Sequence, residues 1–276
     1  MLLASLCVVA WAFPAAAVAD VSTATVGQHL TRISVDPVAD TAFVATTAGF
    51  ALLSELIVRT GELRPQAPVD PSNLLGVDRG IADAEEVETS GRVLSDITLG
   101  LAAAYALFDA SRAAYQGDDA WWGTSFVLYT ETVALNLALT NIAKIAFRRP
   151  RPIAYFELRE TGAVSDDTNS ALSFYSGHTA TTAGLAATAS YLAFARHGSS
   201  WKSWVTLALG TLFTTYVAVQ RVRARAHFPT DVIAGALVGG GVGVLIPHLH
   251  VSRKTPLRFG PSIAGGAPGL TLTGRF

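Results

Sequence analysis

Three short clusters hold the side chains whose types and spacing could do chemistry. In KIAFRRPRP, Lys144 precedes Arg151 and Pro152. In SFYSGHTATTAG, Ser176, Gly177 and His178 stand together before an Ala- and Thr-rich run. In QRVRARAHFPTD, Arg221 is followed by His227 and then by Asp231. Lys144, Arg151 and Arg221 are cations able to neutralise an oxyanion, and arginine can grip one through two parallel N–H groups. Ser176 and Gly177, placed where a helix begins, add a hydroxyl and unpaired backbone N–H groups. Glycine also lets the backbone approach a ligand closely. Pro229 suits a first helical turn, which places Asp231 in that turn. There Asp231 could cap the helix, or accept a hydrogen bond from one nitrogen of His227 and leave the other free to attack. Each cluster alone has a bland reading: cations complementing a helix C-terminus or lipid headgroups, and a capping histidine. Together they describe a surround for a tetrahedral oxyanion, whose transfer depends mostly on positioning and charge neutralisation.

The elements that must position these clusters are apolar. Half of the 276 residues are hydrophobic, 15% are charged, and the formal net charge is −1. With a mean hydropathy of +0.38, the chain is too apolar for an average soluble domain. The near-zero charge argues against nucleic acid as a partner. Six apolar segments of helical length run approximately over 41–58, 94–111, 124–147, 178–196, 203–220 and 231–249. Their Ala, Gly, Leu and Thr content suits close helix packing, and the expected fold is all-α, a bundle of about six helices embedded in a membrane. The last two segments approach the ~20 residues that cross a bilayer. Charges bracket the first two, Asp40 and Glu55 in one case and Asp96 and Asp109 in the other. Glu131, Asn136 and Asn141 form a polar stripe on the third segment, expected to face neighbouring helices rather than lipid. Trp121, Trp122, Trp201 and Trp204 lie by two short links that share one end of an up-down bundle, as interfacial anchors would. The connections 59–93, 148–177 and 221–230 lie at the other end, so all three polar clusters collect there.

The ends of the chain read differently. Residues 1–19 resemble a cleaved signal peptide, with Ala17-Val18-Ala19 before Asp20, the alternative being a first membrane helix. The single cysteine, Cys7, lies inside it. Residues 20–37 form an N-terminal segment, 38–250 the helical domain, and 251–276 a tail with a possible β-hairpin around GGAPG. A cleaved signal followed by six crossings would put the clusters on the cytoplasmic side. The expectation is instead a site facing the periplasm, which requires that the signal is not used as read, that one segment, the short first one being the prime candidate, does not cross, or that the bundle does not span.

The set of motifs closely resembles the phosphatidic acid phosphatase type 2 and vanadium haloperoxidase superfamily. That signature is Lys-x6-Arg-Pro, Pro-Ser-Gly-His and Ser-Arg-x5-His-x3-Asp. The chain supplies Lys144…Arg151-Pro152, Ser176-Gly177-His178 and Arg221…His227…Asp231 at those spacings, within roughly 94–249. Tyr175 replaces the motif's proline and Gln220 its serine, which bears on loop rigidity and substrate fit. The resemblance implies His227 as nucleophile, Asp231 holding its ring and His178 as general acid. It implies Lys144, Arg151, Ser176, Gly177 and Arg221 as binders of the phosphoryl oxygens. No metal is implied. The expected substrate is a phosphorylated lipid, or another phosphate mono- or diphosphate ester. The alternatives are a soluble periplasmic acid phosphatase, and a haloperoxidase using vanadate as cofactor in the same cradle; in a phosphatase, vanadate would act as inhibitor. Undecaprenyl diphosphate, phosphatidic acid, phosphatidylglycerol phosphate and lipid A phosphates all stay open, with the loop 153–173 as the place for headgroup choice. His29, His197, His248 and His250 read as structural or interfacial. Arg148, Arg149, Arg223 and Arg225 could steer an anionic substrate or face solvent and headgroups. Oligomeric state is not legible.

Overall fold

The computed structural model describes residues 33–60, 62–84, 88–115, 119–163, 172–251, 258–264 and 267–273, with backbone alone at 113–115, 119–122 and in the last two stretches. The expected signal peptide, Cys7 and His29 lie outside the described residues, as do residues 164–171 of the loop 153–173 expected to choose the headgroup. Six long helices correspond to the six apolar segments: α1 (Pro37–Arg59), α3 (Ser90–Tyr115), α4 (Asp119–Phe147), α6 (Gly177–His197), α7 (Trp201–Arg223) and α8 (Pro229–Leu249). Two short helices, α2 (Gly76–Ala82) and α5 (Pro152–Thr161), fold from the polar connections. In the tail, β1 (Arg258–Ala264) and β2 (Ala267–Thr273) pair antiparallel with Arg258 opposite Thr273.

Local chemistry sets the helix starts. Asp36 accepts from the N–H groups of Val38 and Ala39 and precedes Pro37, the first residue of α1. Ser176 caps α6, its Oγ accepting from the Thr179 N–H. Pro229 opens α8, and Asp231 reaches back to the Phe228 N–H at 2.9 Å.

The packing is built around α6, which touches α3, α4, α7 and α8. Its partnership with α8 is the closest because Gly235, Gly239 and Gly243 recur every fourth residue along one face. A Cβ at Gly239 would collide with the Ala180 carbonyl, one at Gly243 with the Gly184 carbonyl, and one at Gly235 with the Ser176 carbonyl. Small residues at this spacing let two helix backbones meet where apolar side chains alone would hold them apart. The polar stripe of α4 is buried as its spacing implied. Asn141 donates to the Ala51 carbonyl and to Ser54 Oγ, both at 3.0 Å, joining α4 to α1.

Among the described residues, five helices are long and apolar enough to cross a membrane: α1, α3 over Ser90–Arg112, α4 over Gly123–Phe147, α7 and α8. Their outward faces carry exposed Leu52, Leu53 and Leu56 on α1, Ile97 and Leu101 on α3, and Leu209 and Leu212 on α7. This apolar belt suits lipid, and it marks a membrane protein. Two expectations change. The first segment qualifies as a span, and the fourth, α6, does not. A helix enclosed by four others meets protein instead of lipid, so it can carry Thr and Ser that a lipid-facing helix would avoid.

Candidate active site

The loop between α7 and α8 brings His227 to the end of the bundle, where it is 2% exposed. Its Nδ1 lies 2.7 Å from the Ser173 carbonyl. A carbonyl only accepts, so Nδ1 carries the proton and Nε2 is left with a lone pair. Nε2 has no hydrogen-bond partner among the described residues. The carboxylate of Asp231 stands 4.0 Å from Nδ1, too far for a hydrogen bond. The direct His227–Asp231 bond considered from the spacing is therefore replaced by a relay. Asp231 accepts from Ser173 Oγ, and its backbone carbonyl accepts from the Ser176 N–H at 3.1 Å. It straps the 173–176 loop onto α8, and the strapped loop presents the Ser173 carbonyl to His227.

Asp231 is itself held by Arg149. One guanidinium nitrogen donates to Asp231 Oδ1 at 2.5 Å and the other to Asp78 Oδ2 at 2.8 Å, with the group stacked 4.2 Å over the Phe228 ring. Asp78, on α2, also accepts from Thr230 N–H and Oγ1 at 3.1 and 2.6 Å. Both carboxylates are fully buried. Arg149, read from sequence as steering an anion or facing solvent and headgroups, is instead a half-buried bridge, supplying the counter-charge that two desolvated carboxylates require. Arg225 is also buried, at 2% exposure and 5.2 Å from the Phe156 ring, whereas Arg223 makes an exposed pair with Glu88 at 3.3 Å.

Cations surround His227. Arg151 precedes α5, with Nε donating to the Leu172 carbonyl at 3.3 Å. Arg221, buried on the last turn of α7, donates to Ser95 Oγ at 3.3 Å. Lys144 occupies the last turn of α4. Burial holds the His227 imidazole well below its ordinary pKa of 6.5, and the charges of Arg151, Arg221 and Lys144 reinforce that shift. His227 is accordingly neutral at pH 7, as a nitrogen nucleophile must be.

At the start of α6, Ser176 is buried and its Oγ accepts from Thr179 Oγ1 at 2.9 Å, so its lone pairs serve the cap and its proton is free to be given. A Cβ at Gly177 would meet Thr140 Cγ2 at 3.1 Å, so the glycine also lets α6 start tightly against α4. His178 Nε2 lies 2.7 Å from Asp96 Oδ1, and the same oxygen is 3.8 Å from Arg221 Nη1. Tyr175 packs in a small cluster with Ala143 and Ala180, and Gln220 is buried.

All eight residues singled out from the motifs lie at one end of the bundle. Four more belong with them: Ser173, Asp78, Arg149 and Asp96. Asp96 was visible only as a charge at a segment boundary, and Asp78 sits in a long connection with no distinguishing pattern. Neither had a local signal, because the partner of each lies more than seventy residues away in the chain.

Three cations around a neutral, oriented imidazole at one end of an apolar helical bundle form an arrangement able to receive a tetrahedral oxyanion. Residues 125–254, from α4 to just past α8, match the family model of the PAP2 superfamily, so this stretch of the chain is similar to that superfamily. The matched stretch contains all eight motif residues. The match points to phosphatase activity on phosphate esters. No solved structure matches the chain.

Proposed function

We propose that this protein hydrolyses a lipid phosphate ester, without a catalytic metal, through a phosphohistidine at His227. The observation that carries this reading is the His227–Ser173 bond, which leaves a bare Nε2 facing a cationic site. Nε2 attacks phosphorus and the bond to the leaving oxygen breaks. Lys144, Arg151 and Arg221 neutralise the phosphoryl oxygens, aided by the Ser176 hydroxyl and the Gly177 N–H. His178 carries a proton on Nε2, held by Asp96 in the free site. Burial and the nearby Arg221 charge hold the His178 pKa down to about 4, so the ring rests neutral in the free site. The bound phosphate anion displaces Asp96 and favours uptake of a second proton, and the resulting imidazolium gives its Nε2 proton to the departing oxygen. Water then attacks the phosphohistidine, gives its proton to His178, and the P–N bond breaks to release orthophosphate.

A lipid substrate is favoured by the apolar surfaces beside the cradle. Val93 and Ile97, flanking Asp96, are 60% and 55% exposed, and Phe147, three residues after Lys144, is 56% exposed. A soluble ester would find no use for that rim. We place the site on the periplasmic side; a reporter fused within 153–163 and active only in the cytoplasm would reverse that orientation. The activity test is phosphate release in EDTA from a panel of lipid phosphates and a soluble aryl phosphate, alongside His227→Ala. Release from lipids, lost in the variant, supports the proposal. Efficient aryl phosphate turnover with no lipid preference would move the reading to a general acid phosphatase. Vanadate, a phosphate-shaped oxyanion, is expected to inhibit by occupying the cradle.

A further inference from the structure

Far from the phosphoryl site, three metal-ligating side chains converge. They are Asp40 near the start of α1, Glu131 in the body of α4 and His250 just after α8, with one ligand atom from each within 4.8 Å of the others. Glu131 lies about 20 Å along α4 from Lys144, at 1.5 Å per residue. Its side chain is 2% exposed, and Oε2 has no hydrogen-bond partner. A bare carboxylate oxygen so deep in an apolar bundle requires a counter-charge.

The outer atoms of the cluster are already satisfied by backbone. Asp40 Oδ2 accepts from the Asp36 N–H at 2.7 Å, leaving Oδ1 to point inward. His250 Nδ1 lies 2.8 Å from the Ile246 carbonyl, so Nδ1 carries a proton. A neutral ring then turns the Nε2 lone pair toward both carboxylates. Backbone bonds of this kind fix the ring tautomer and orientation in metal sites. The inner distances are 3.3 Å from Nε2 to Asp40 Oδ1 and 3.5 Å from Nε2 to Glu131 Oε2. Charge-assisted N–H···O bonds are shorter, about 2.7–2.9 Å. Two ligands about 2.0–2.1 Å from one tetrahedral ion stand roughly 3.3–3.4 Å apart. The spacing therefore suits an ion between the groups better than protons on them.

We propose that Asp40 Oδ1, Glu131 Oε2 and His250 Nε2 bind a divalent transition-metal cation, of the zinc or manganese class, that ties α1, α4 and α8 together at the end of the bundle opposite the phosphoryl site. Two carboxylates and a neutral imidazole around a divalent ion sum to zero charge, which a low-dielectric interior tolerates. A surface cavity of about 670 Å³ lined by Ser34, Asp36, Asp40 and His250 gives an ion a path to two of the three ligands. The ion would act on structure, and the site plays no part in the phosphoryl chemistry proposed above. It also reinforces a clip already present, since Ile33 pairs with Val251 and the Ser34 N–H donates to the His250 carbonyl at 3.0 Å.

The test uses the full chain purified without chelator. Elemental analysis is expected to find close to one zinc or manganese ion per chain. Prolonged chelation should lower the melting temperature and added Zn²⁺ should restore it. In Glu131→Gln, Zn²⁺ affinity should fall about 10–100-fold and the melting temperature should no longer respond. If that variant does not fold, Co²⁺ loaded into stripped wild-type protein decides, through ligand-field bands of a low-symmetry site with a nitrogen ligand. No retained metal, no thermal response to Zn²⁺ and no cobalt bands would overturn the proposal. So would equal Zn²⁺ affinity in wild type and variant. A cluster stabilised by lower pH but not by Zn²⁺ would hold a shared proton instead of a metal, and would also overturn it. Phosphate release in EDTA, below the lowered melting temperature, fails only if the phosphatase reading fails.

Discussion

The two ends of the bundle use histidine in opposite ways. At the phosphoryl end, His227 sits among Lys144, Arg151 and Arg221. At the other end, His250 sits between Asp40 and Glu131. In both rings Nδ1 donates to a backbone carbonyl, Ser173 in one case and Ile246 in the other, so each offers an Nε2 lone pair. The ring is the same and the surrounding charge is reversed. A lone pair among cations awaits an anion, and in the proposed reaction it attacks phosphorus. A lone pair among carboxylates awaits a cation. Orientation is local in both sites, and function is set by what other helices bring alongside.

The largest expected break in that contrast is His227→Ala. Removing the nucleophile should lower kcat by at least about a thousandfold, while His250→Ala should leave kcat measured in EDTA within a few-fold of wild type. Single-turnover phosphate release from both variants checks this. Next comes Arg149→Met, which leaves Asp78 and Asp231 buried without their shared cation. Such a loss is expected to destabilise the fold by about 3–5 kcal/mol, seen in thermal or denaturant unfolding. Exposed Arg223→Met should change stability little. Gly239→Ala drives a methyl group into the Ala180 carbonyl and should cost about 1–3 kcal/mol, with activity falling as α6 and α8 separate. Asp96→Asn should split the kinetic constants. KM for the ester should fall as a competing carboxylate leaves Arg221, and kcat should drop about tenfold as His178 loses the partner that holds its proton.

The smallest effect is a pH dependence. His227 is held below its ordinary pKa of 6.5 in the folded state, so below that pH the unfolded chain binds the extra proton and the folded chain does not. Its contribution to stability is complete above the unfolded value and is lost as pH falls from about 6.5 toward the folded value. The melting temperature should therefore decline between about pH 6.5 and 5, and His227→Asn should make that decline shallower. A slope unchanged by the substitution would show that the ring is not buried in its neutral form.

Much of the machinery was legible in the chain itself. The residue types at 144, 151, 176–178, 221, 227 and 231 name an oxyanion site because few other functions need three cations, a helix start and two histidines in that order. The Ala, Gly, Leu and Thr content implied close helix packing, but that Gly235, Gly239 and Gly243 form the contact is a finding of the structure. Asp231 was legible as a residue of the first turn of α8, but not the route by which it acts. Its 4.0 Å separation from Nδ1 comes from the placement of the 173–176 loop, which sequence spacing does not contain.

Sequence by itself determined the helices, the apolar surfaces and the inventory of reactive groups, since these follow from periodicity and side-chain chemistry along one stretch of chain. Only the tertiary structure decided the partners. Arg149 meets Asp78 across 71 positions, His178 meets Asp96 across 82, and His250 meets Asp40 across 210. It also decided that α6, the long helix that falls short of a membrane span, would be the enclosed one, because shelter from lipid is a property of neighbours. Hydrogen bonding and charge coupling depend on separations of a few ångströms, and between distant parts of a chain only folding sets those.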